Sequence, residues 1–391
     1  MELNKTNSGN RIHIGFFGKV NSGKSSIINE FSGRDISIVS NQEGTTTDPV
    51  YKSMEIKSLG PCLLMDTPGI GDETVLGQKR MKRTDEVISK TDIGVLVVSD
   101  TQTGPEREML KKFKDTPILL VINKIDLLSE EEIKKIREDF SSYKIVEVSA
   151  LKKIGFDKLL EELLKFKPKK EERLFDGMVE EKDLVLLVIP QDIAAPKNRI
   201  ILPQVQTIRE LLDRNALVSM VKLEELPDIL GLLNKKPDLV VADSSVFLEV
   251  YEKIPRDVKL TSFSVLFAKL KGDIDEYIKG VEALKKINEN SKILIAECCT
   301  HAPAEEDIGR IKIPNMIRKK VGQGLQVDVS SGSVLPENIS DYDLIIQCGG
   351  CMLNAKNIRS RIESTKEKSI PITNYGIVIA YFKGILDKIN Y

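Results

Sequence analysis

The β-type run Ile12–Phe17 passes without a break into Gly18-Lys-Val-Asn-Ser-Gly-Lys-Ser25, a G-x-x-x-x-G-K-S sequence. No other stretch restricts the fold as tightly. Its glycines let the backbone curl until the N–H groups converge on a phosphate, and the helix that must follow presents the positive end of its dipole to the same point. Lys24 then supplies a point charge to the β and γ phosphates and Ser25 a hydroxyl for Mg²⁺, with Gly18, Ser22, Gly23 and Ser26 lining the loop. Such a loop belongs at the end of a strand in a parallel sheet, and Cys62–Met65, Ile93–Ser99, Ile118–Ile122 and Ile145–Val148 are short apolar runs separated by helical stretches. The expected fold class is therefore α/β, a doubly wound, mostly parallel sheet ending in an amphipathic helix over Gly155–Phe166.

Three of the later strands end in groups suited to a nucleotide. Asp66-Thr-Pro-Gly69 follows Cys62–Met65, which puts a carboxylate beside the metal and a glycine N–H where a γ-phosphate would sit. Asn123-Lys124-Ile-Asp126 follows Ile118–Ile122. Asp126 can accept hydrogen bonds from guanine N1–H and the 2-amino group, and adenine offers neither donor there. Ser149-Ala150-Leu151 then offers a backbone N–H to guanine O6. The expected ligand is GTP with Mg²⁺, and the expected catalytic set is Lys24, Asp66 and Gly69. Ile70 has no acceptor for the attacking water, so hydrolysis is expected to be slow unless a cation, Asp72 or Glu73 assists. That is the behaviour of a timing switch.

At 391 residues the chain has room for roughly two to three domains. Its 58 basic and 59 acidic residues give a net charge of −1, without the basic excess of a generic nucleic-acid binder. The longest apolar runs, Ile118–Ile122 and Leu184–Ile189, are too short to span a bilayer and the opening Met1–Asn10 is polar. Neither a membrane span nor a signal peptide is expected, and the five cysteines, an odd number, suit a reducing cytoplasm. The charged, proline-containing segment 167–173 reads as a linker. We expect domains at 1–168, 174–270 and 271–391, the first binding GTP and the other two being smaller α/β units. Strand-like Leu184–Ile189, Leu217–Val221 and Leu239–Ala242 alternate with helix-like Val205–Asn215 and Glu224–Leu233 in the second. The third reads as helix Ile274–Asn288, strand Lys292–Ala296, a helix around Asn315–Val321, strands Gln326–Val329 and Leu344–Gln347, helix Lys356–Ser364 and strand Ile370–Thr373.

Two of those strands run into chemistry of a second kind. Cys299-x-His301 follows Lys292–Ala296 and, after a 46-residue gap, Cys348-Gly-Gly-Cys351 follows Leu344–Gln347. If the strands are parallel neighbours, both motifs meet at one carboxyl edge. Three thiolates and a histidine suit tetrahedral zinc. Three thiolates with one exchangeable ligand suit an iron–sulfur cluster. Extended alternation turns Cys298 away from Cys299, so Cys298 is expected to be structural. Cys62 is expected in the core, and His13 to be a core or surface histidine.

The first ~165 residues resemble GTPases of the Era/TrmE branch. Asn21 occupies the place where potassium-dependent members of that branch hold an asparagine whose carbonyl ligates K⁺, and Gly44-Thr-Thr-Thr-Asp48 resembles their switch I, with Thr47 replacing an arginine. Thr45 or Thr46 would supply a Mg²⁺ oxygen. The C-x-H…C-x-x-C pattern, Glu305-Glu-Asp-Ile-Gly-Arg310, Asn374-Tyr-Gly-Ile377 and Val188-Ile-Pro-Gln-Asp-Ile-Ala-Ala-Pro196 resemble the HydF family, the GTPases that mature [FeFe]-hydrogenase. The likeness covers essentially the whole chain. It implies a GTP-binding domain, a central dimerisation domain that makes a homodimer, and a [4Fe–4S] cluster on Cys299, Cys348 and Cys351, with His301 or Glu305 at the fourth iron. It also implies a carrier that assembles a two-iron precursor, works with two radical-SAM maturases and delivers to apo [FeFe]-hydrogenase. One rival reading is an RNA- or ribosome-associated GTPase with a zinc-bearing tail, disfavoured by the balanced charge and the lack of a KH-type G-x-x-G loop. The other is a GTP-regulated redox protein, which four cysteine ligands would favour.

Overall fold

The computed structural model describes residues 8–33, 38–42, 49–56, 58–70, 75–167, 173–190, 200–298, 307–350 and 352–391, with 38–42 and 75–80 as backbone only. The backbone divides into two compact units, Met1–Lys170 and Glu171–Tyr391.

The first unit runs β1 (Ile12–Gly18), α1 (Lys24–Ser32), β2 (Ile38–Gln42), β3 (Val50–Ile56), β4 (Gly60–Asp66), α2 (Val75–Ile88), β5 (Ile93–Val98), α3 (Gly104–Leu110), β6 (Ile118–Ile122), α4 (Glu130–Asp139), β7 (Lys144–Glu147) and α5 (Phe156–Lys165). Its seven strands lie in the order β2-β3-β4-β1-β5-β6-β7, parallel except that β3 runs against both neighbours. Every residue of β5 and β6 is buried, as helices on both faces require. Alternation sorts them. Ile14, Phe16, Val95, Val97, Leu119 and Val121 pack under α1 and α5, and Phe17, Leu96, Val98, Leu120 and Ile122 face the opposite core with Val87, Met109 and Ile136. The fold is that of a P-loop GTPase, as the sequence pattern implies.

The second unit holds two four-stranded sheets. The first is built from β8 (Leu184–Val188), α6 (Leu202–Asp213), β9 (Leu217–Val221), α7 (Leu226–Leu232), β10 (Leu239–Ala242), α8 (Phe247–Lys253), β11 (Lys259–Ser262) and α9 (Phe263–Lys271), in the strand order β11-β10-β8-β9. The other comprises α10 (Ile274–Glu282), β12 (Lys292–Glu297), α11 (Ile313–Val321), β13 (Gln326–Ser331), β14 (Leu344–Gln347), α12 (Ala355–Glu367), β15 (Ile372–Asn374) and α13 (Tyr375–Phe382), ordered β13-β12-β14-β15 and parallel throughout. One apolar core joins the sheets, with Val188 and Val240 in the same cluster as Ile295 and Ile346. A continuous core explains why no polar linker separates them. The helix read over Ile274–Asn288 is shorter: α10 stops at Glu282 and a 3₁₀ turn over Ala283–Lys285 follows. The last strand lies over Ile372–Asn374, two residues later than its expected start.

Candidate functional site

The nucleotide loop links β1 to α1. Two of its glycines are sterically required: a Cβ at Gly18 (φ 142°) would stand 2.3 Å from the Val97 carbonyl oxygen, and one at Gly23 (φ 93°) 2.1 Å from Asn123 Nδ2. Asn21 adopts φ 59° and is exposed on the outside of the loop. Lys24 is buried and folds back, donating from Nζ to the carbonyls of Gly18 at 3.1 Å and Lys19 at 2.8 Å. Burial lowers its pKa, opposed by Asp66 and Glu106. Asp66, at the end of β4, accepts a hydrogen bond from Ser25 Oγ, and its other oxygen is buried without a partner among the described residues. Burial raises the Asp66 pKa, while Ser25 and Lys24 oppose the rise. Ser25, Asp66 and Lys24 thus lie together, the arrangement Mg²⁺ and a phosphate chain need. Ser26 is exposed one residue on.

The segment after Asp66 is fixed to this loop by Thr67 Oγ1 on the Phe16 carbonyl at 2.6 Å and Ile70 N–H on the Gly18 carbonyl at 3.2 Å. Gly69 lies so close that a Cβ there would be 2.5 Å from Val20 N and Cα. The Ile70 side chain points into the core, 5% exposed, so it can neither orient water nor be replaced by a longer polar chain without repacking. Thr45, Thr46, Asp72 and Glu73 lie outside the described residues.

On the base side, Asp126 accepts from Ser149 Oγ, which is fully buried, and that hydrogen bond holds the carboxyl below its usual range. Asn123 lies between the two loops. Its Nδ2 donates to the Ser22 carbonyl at 2.9 Å, and its Oδ1 accepts from Ala150 N–H at 3.2 Å. It braces the phosphate loop to the base loop. Lys124, with φ 62°, makes the turn between Asn123 and Asp126. Sequence reasoning also missed Glu106 of α3. It is 0% exposed, neither carboxylate oxygen has a hydrogen-bond partner among the described residues, and burial raises its pKa. A lone glutamate in a helical stretch carries no signal of this. His13 is a core residue, its ring nitrogens on the carbonyls of Lys90 at 3.1 Å and Ser8 at 2.9 Å. Cys62 is buried in β4, and burial pushes its thiol up to about 12.

The carboxyl edge of the last sheet is the second candidate site. β12 and β14 are adjacent and parallel, Ala296 opposite Gln347, and Cys348 N–H donates to the Ala296 carbonyl at 3.0 Å. Lys271, buried at the end of α9, holds the backbone after Cys348 through Gly350 O at 3.1 Å and Leu353 O at 2.9 Å. Glu297, also buried, pairs with Arg310 at 2.8 Å, which ties together the two ends of the segment bearing Cys299 and Glu305. Cys298, one residue past the end of β12, faces Cys348, with Arg361 Nη1 3.6 Å from its sulfur. Its orientation relative to Cys299 lies outside the described residues. Contact with Cys298, together with burial, raises the Cys348 thiol well above its ordinary pKa. Bringing a metal to such a thiol must therefore displace its proton. Cys299, His301, Glu305 and Cys351 lie outside the described residues, and among the described ones no three His, Cys, Asp or Glu gather as a metal site. At the same sheet edge two polar atoms are buried without partners among the described residues, Gln347 Oε1, in the residue before Cys348, and Tyr375 Oη. Burial, with Cys348 and Glu297 nearby, raises the Tyr375 pKa above the phenol range. Orphaned polar atoms beside a soft sulfur donor fit a site completed by another group.

Residues 13–124 match the 50S ribosome-binding GTPase family model. The GTPase Era of Ruminiclostridium cellulolyticum is 33% identical over 165 residues, 40% of this chain and 55% of that protein. The tRNA modification GTPase MnmE of Desulforamulus reducens is 34% identical over 170 residues, 42% of this chain and 34% of that protein. The chain thus spans about half the length of the first relative and a third of the second. A crystal structure of a variant of Aquifex aeolicus Era bound to GDP.AlF4- aligns with TM-score 0.34 and 21% identity over 57% of this chain and 98% of that one. Among the described residues no helix is long and apolar enough to cross a membrane. Residues 174–272 match the hydrogen maturase F dimerization domain and residues 275–390 the hydrogen maturase F tetramerization domain. Two such domains in succession behind a GTPase domain make the chain a member of the hydrogen maturase F family.

Proposed function

We propose that the chain is a GTP-controlled scaffold that assembles a two-iron precursor and delivers it to apo [FeFe]-hydrogenase. The observation that carries this reading is the pairing of a complete phosphate loop with two hydrogen maturase F domains, the second of which presents Cys348 at a sheet edge. Cys299, Cys348 and Cys351 would hold a [4Fe–4S] cluster, with Glu305 or His301 at the fourth iron. The cluster supplies an iron–sulfur centre with one exchangeable position. The chain's own residues do the rest. Lys271 and the Glu297–Arg310 pair position the two ligand-bearing segments, while Lys24, Asp66 and Gly69 sense and cleave GTP. The two-iron unit is cargo, and two radical-SAM maturases would supply its unusual ligands. The working assembly is at least a homodimer in the cytoplasm, built through residues 174–272, and light scattering at twice the mass of one chain or more checks it.

Anaerobic reconstitution with iron and sulfide tests this reading. Wild-type protein is expected to turn brown and to give the EPR signal of a reduced cluster. Ser in place of Cys299, Cys348 or Cys351 is expected to abolish both. Because Cys298 faces Cys348, the comparison of Cys298→Ser with Cys299→Ser decides which neighbour is the ligand, and the reading expects Cys298→Ser to keep its iron. Stoichiometric zinc with no chromophore would return the protein to the RNA-associated GTPase reading suggested by the names of its Era and MnmE relatives.

Hydrolysis is expected to be slow and to rise when Na⁺ is exchanged for K⁺. Asn21 stands exposed on the phosphate loop, where a monovalent cation would add positive charge next to the leaving phosphate. Asn21→Ala is expected to abolish the difference between the two salts in a phosphate-release assay, and a mutant that kept it would refute the role.

A further inference from the structure

The parallel register of the last sheet sets Ser331 opposite Glu297, Ala296 opposite Gln347 and Gln347 opposite Asn374. One step beyond the strand ends, Cys348 and Tyr375 are therefore neighbours at the carboxyl edge. Tyr375 is locked in place. Asn374 caps α13 by accepting from Gly376 N–H at 2.8 Å, and Thr373 Oγ1 donates to the Tyr277 carbonyl at 2.8 Å one residue earlier. The phenol is also accommodated by design of the opposite wall. A Cβ at Gly309 would stand 2.0 Å from Tyr375 Oη and 2.7 Å from its Cζ. Gly309 sits on the short π-helical turn Ile308–Lys312, which is itself fixed by Asp307 accepting from Arg310 N–H at 2.8 Å and by Arg310 pairing with Glu297.

Each fixed element thus directs Tyr375 Oη to a place where it is shielded from solvent and makes no hydrogen bond among the described residues. A buried hydroxyl without a partner costs stability, and a phenylalanine would fill the same volume without that cost. Such a group is explained when its acceptor arrives with a ligand. We propose that Tyr375 is the hydrogen-bond donor to an inorganic sulfide of the group held at Cys348, and that Gly309 is the space that keeps the phenol there. This rests on the cluster reading above. Tyr375 acts as a positioning and tuning residue: a donor to cluster sulfur favours the more negative reduced state and so raises the reduction potential.

The test uses full-length wild-type, Tyr375→Phe and Gly309→Ala proteins. In the metal-free state Tyr375→Phe is expected to melt at a higher temperature than wild type, because the orphan hydroxyl is gone. After anaerobic reconstitution with ferrous iron and sulfide, all three are expected to carry equal iron. An EPR-monitored redox titration is expected to give a more negative midpoint for Tyr375→Phe, and a shift in the same direction for Gly309→Ala, whose methyl displaces the phenol. Should Gly309→Ala fail to fold, the isosteric phenylalanine variant decides alone. Full iron with an unmoved midpoint in Tyr375→Phe overturns the donor role and leaves the cluster reading intact. Wild-type protein that takes up no iron overturns both.

Discussion

Asp126→Asn is expected to weaken GTP binding on the order of 100-fold, since it replaces a charge-assisted pair of hydrogen bonds to guanine with a carboxamide that must present a donor to a donor. The geometry makes this a clean change. Ser149 Oγ already donates to one Asp126 oxygen, and an asparagine can still accept there through its own oxygen. The amide nitrogen then meets the base. Guanine carries an amino group at that position and is refused, whereas xanthine carries an oxygen and is accepted, so the same variant is expected to gain affinity for xanthosine triphosphate. Titration with fluorescent guanine and xanthine nucleotides measures both changes. Loss of both would mean that the substitution had damaged the loop, and retained GTP affinity would mean that Asp126 does not read the base. Iron content after reconstitution is expected to match wild type, because every proposed ligand lies beyond residue 297 in the second compact unit. Hydrogenase maturation in an extract is expected to fall.

How far the sequence disclosed this molecule depended on whether a local pattern matched the final environment. β5 and β6 are apolar at every position because both faces of a parallel sheet are covered, and their bounds were legible to within a residue. β3 was not. Val50–Ile56 is half polar and pairs antiparallel with β4, so it lacks the continuous apolar signature. α13 misleads in the opposite way. Tyr375–Phe382 is apolar on all sides, carries the β-branched run Ile377-Val378-Ile379 and shows no helical period, yet it is a buried helix started by the Asn374 cap. At the sites, motif spacing gave Lys24, Asp66, Asp126 and the juxtaposition of β12 with β14. It could not show that Asn123 serves as a brace, because the same side chain can face a base or a backbone carbonyl. Nor could it show that Cys298 faces Cys348, since β12 stops one residue earlier. Glu106 and Tyr375 matter through an absence of partners among the described residues, which no sequence pattern records.

Gly280→Ala is the complementary experiment, and two opposed magnitudes decide its sign. Helix propensity favours alanine in the middle of α10 by about 1 kcal/mol. Against this, a Cβ at Gly280 would stand 1.8 Å from the Ile372 carbonyl oxygen and 2.5 Å from its carbon, both backbone atoms of β15 that no rotamer change can move. Overpacking against rigid backbone costs about 3 kcal/mol or more. The steric cost wins, leaving about 2 kcal/mol of net destabilisation, which for a unit of this size lowers its melting temperature by roughly 4–8 °C. The displacement has a direction as well as a size. β15 pairs with β14 through Gln347 and Asn374, so pushing α10 away from Ile372 disturbs the strand ends that carry Cys348 and Tyr375. Iron uptake is expected to fall while GTP affinity stays at the wild-type value, the reverse of Asp126→Asn. A calorimetric scan with and without GTP, beside iron analysis of the same preparation, separates the outcomes. If Gly280→Ala melted higher than wild type, α10 would not be seated against β15 as described. If it lost GTP binding together with iron, the two units would not fold independently, and the control of delivery by GTP would have to pass through their stability instead of through the switch residues.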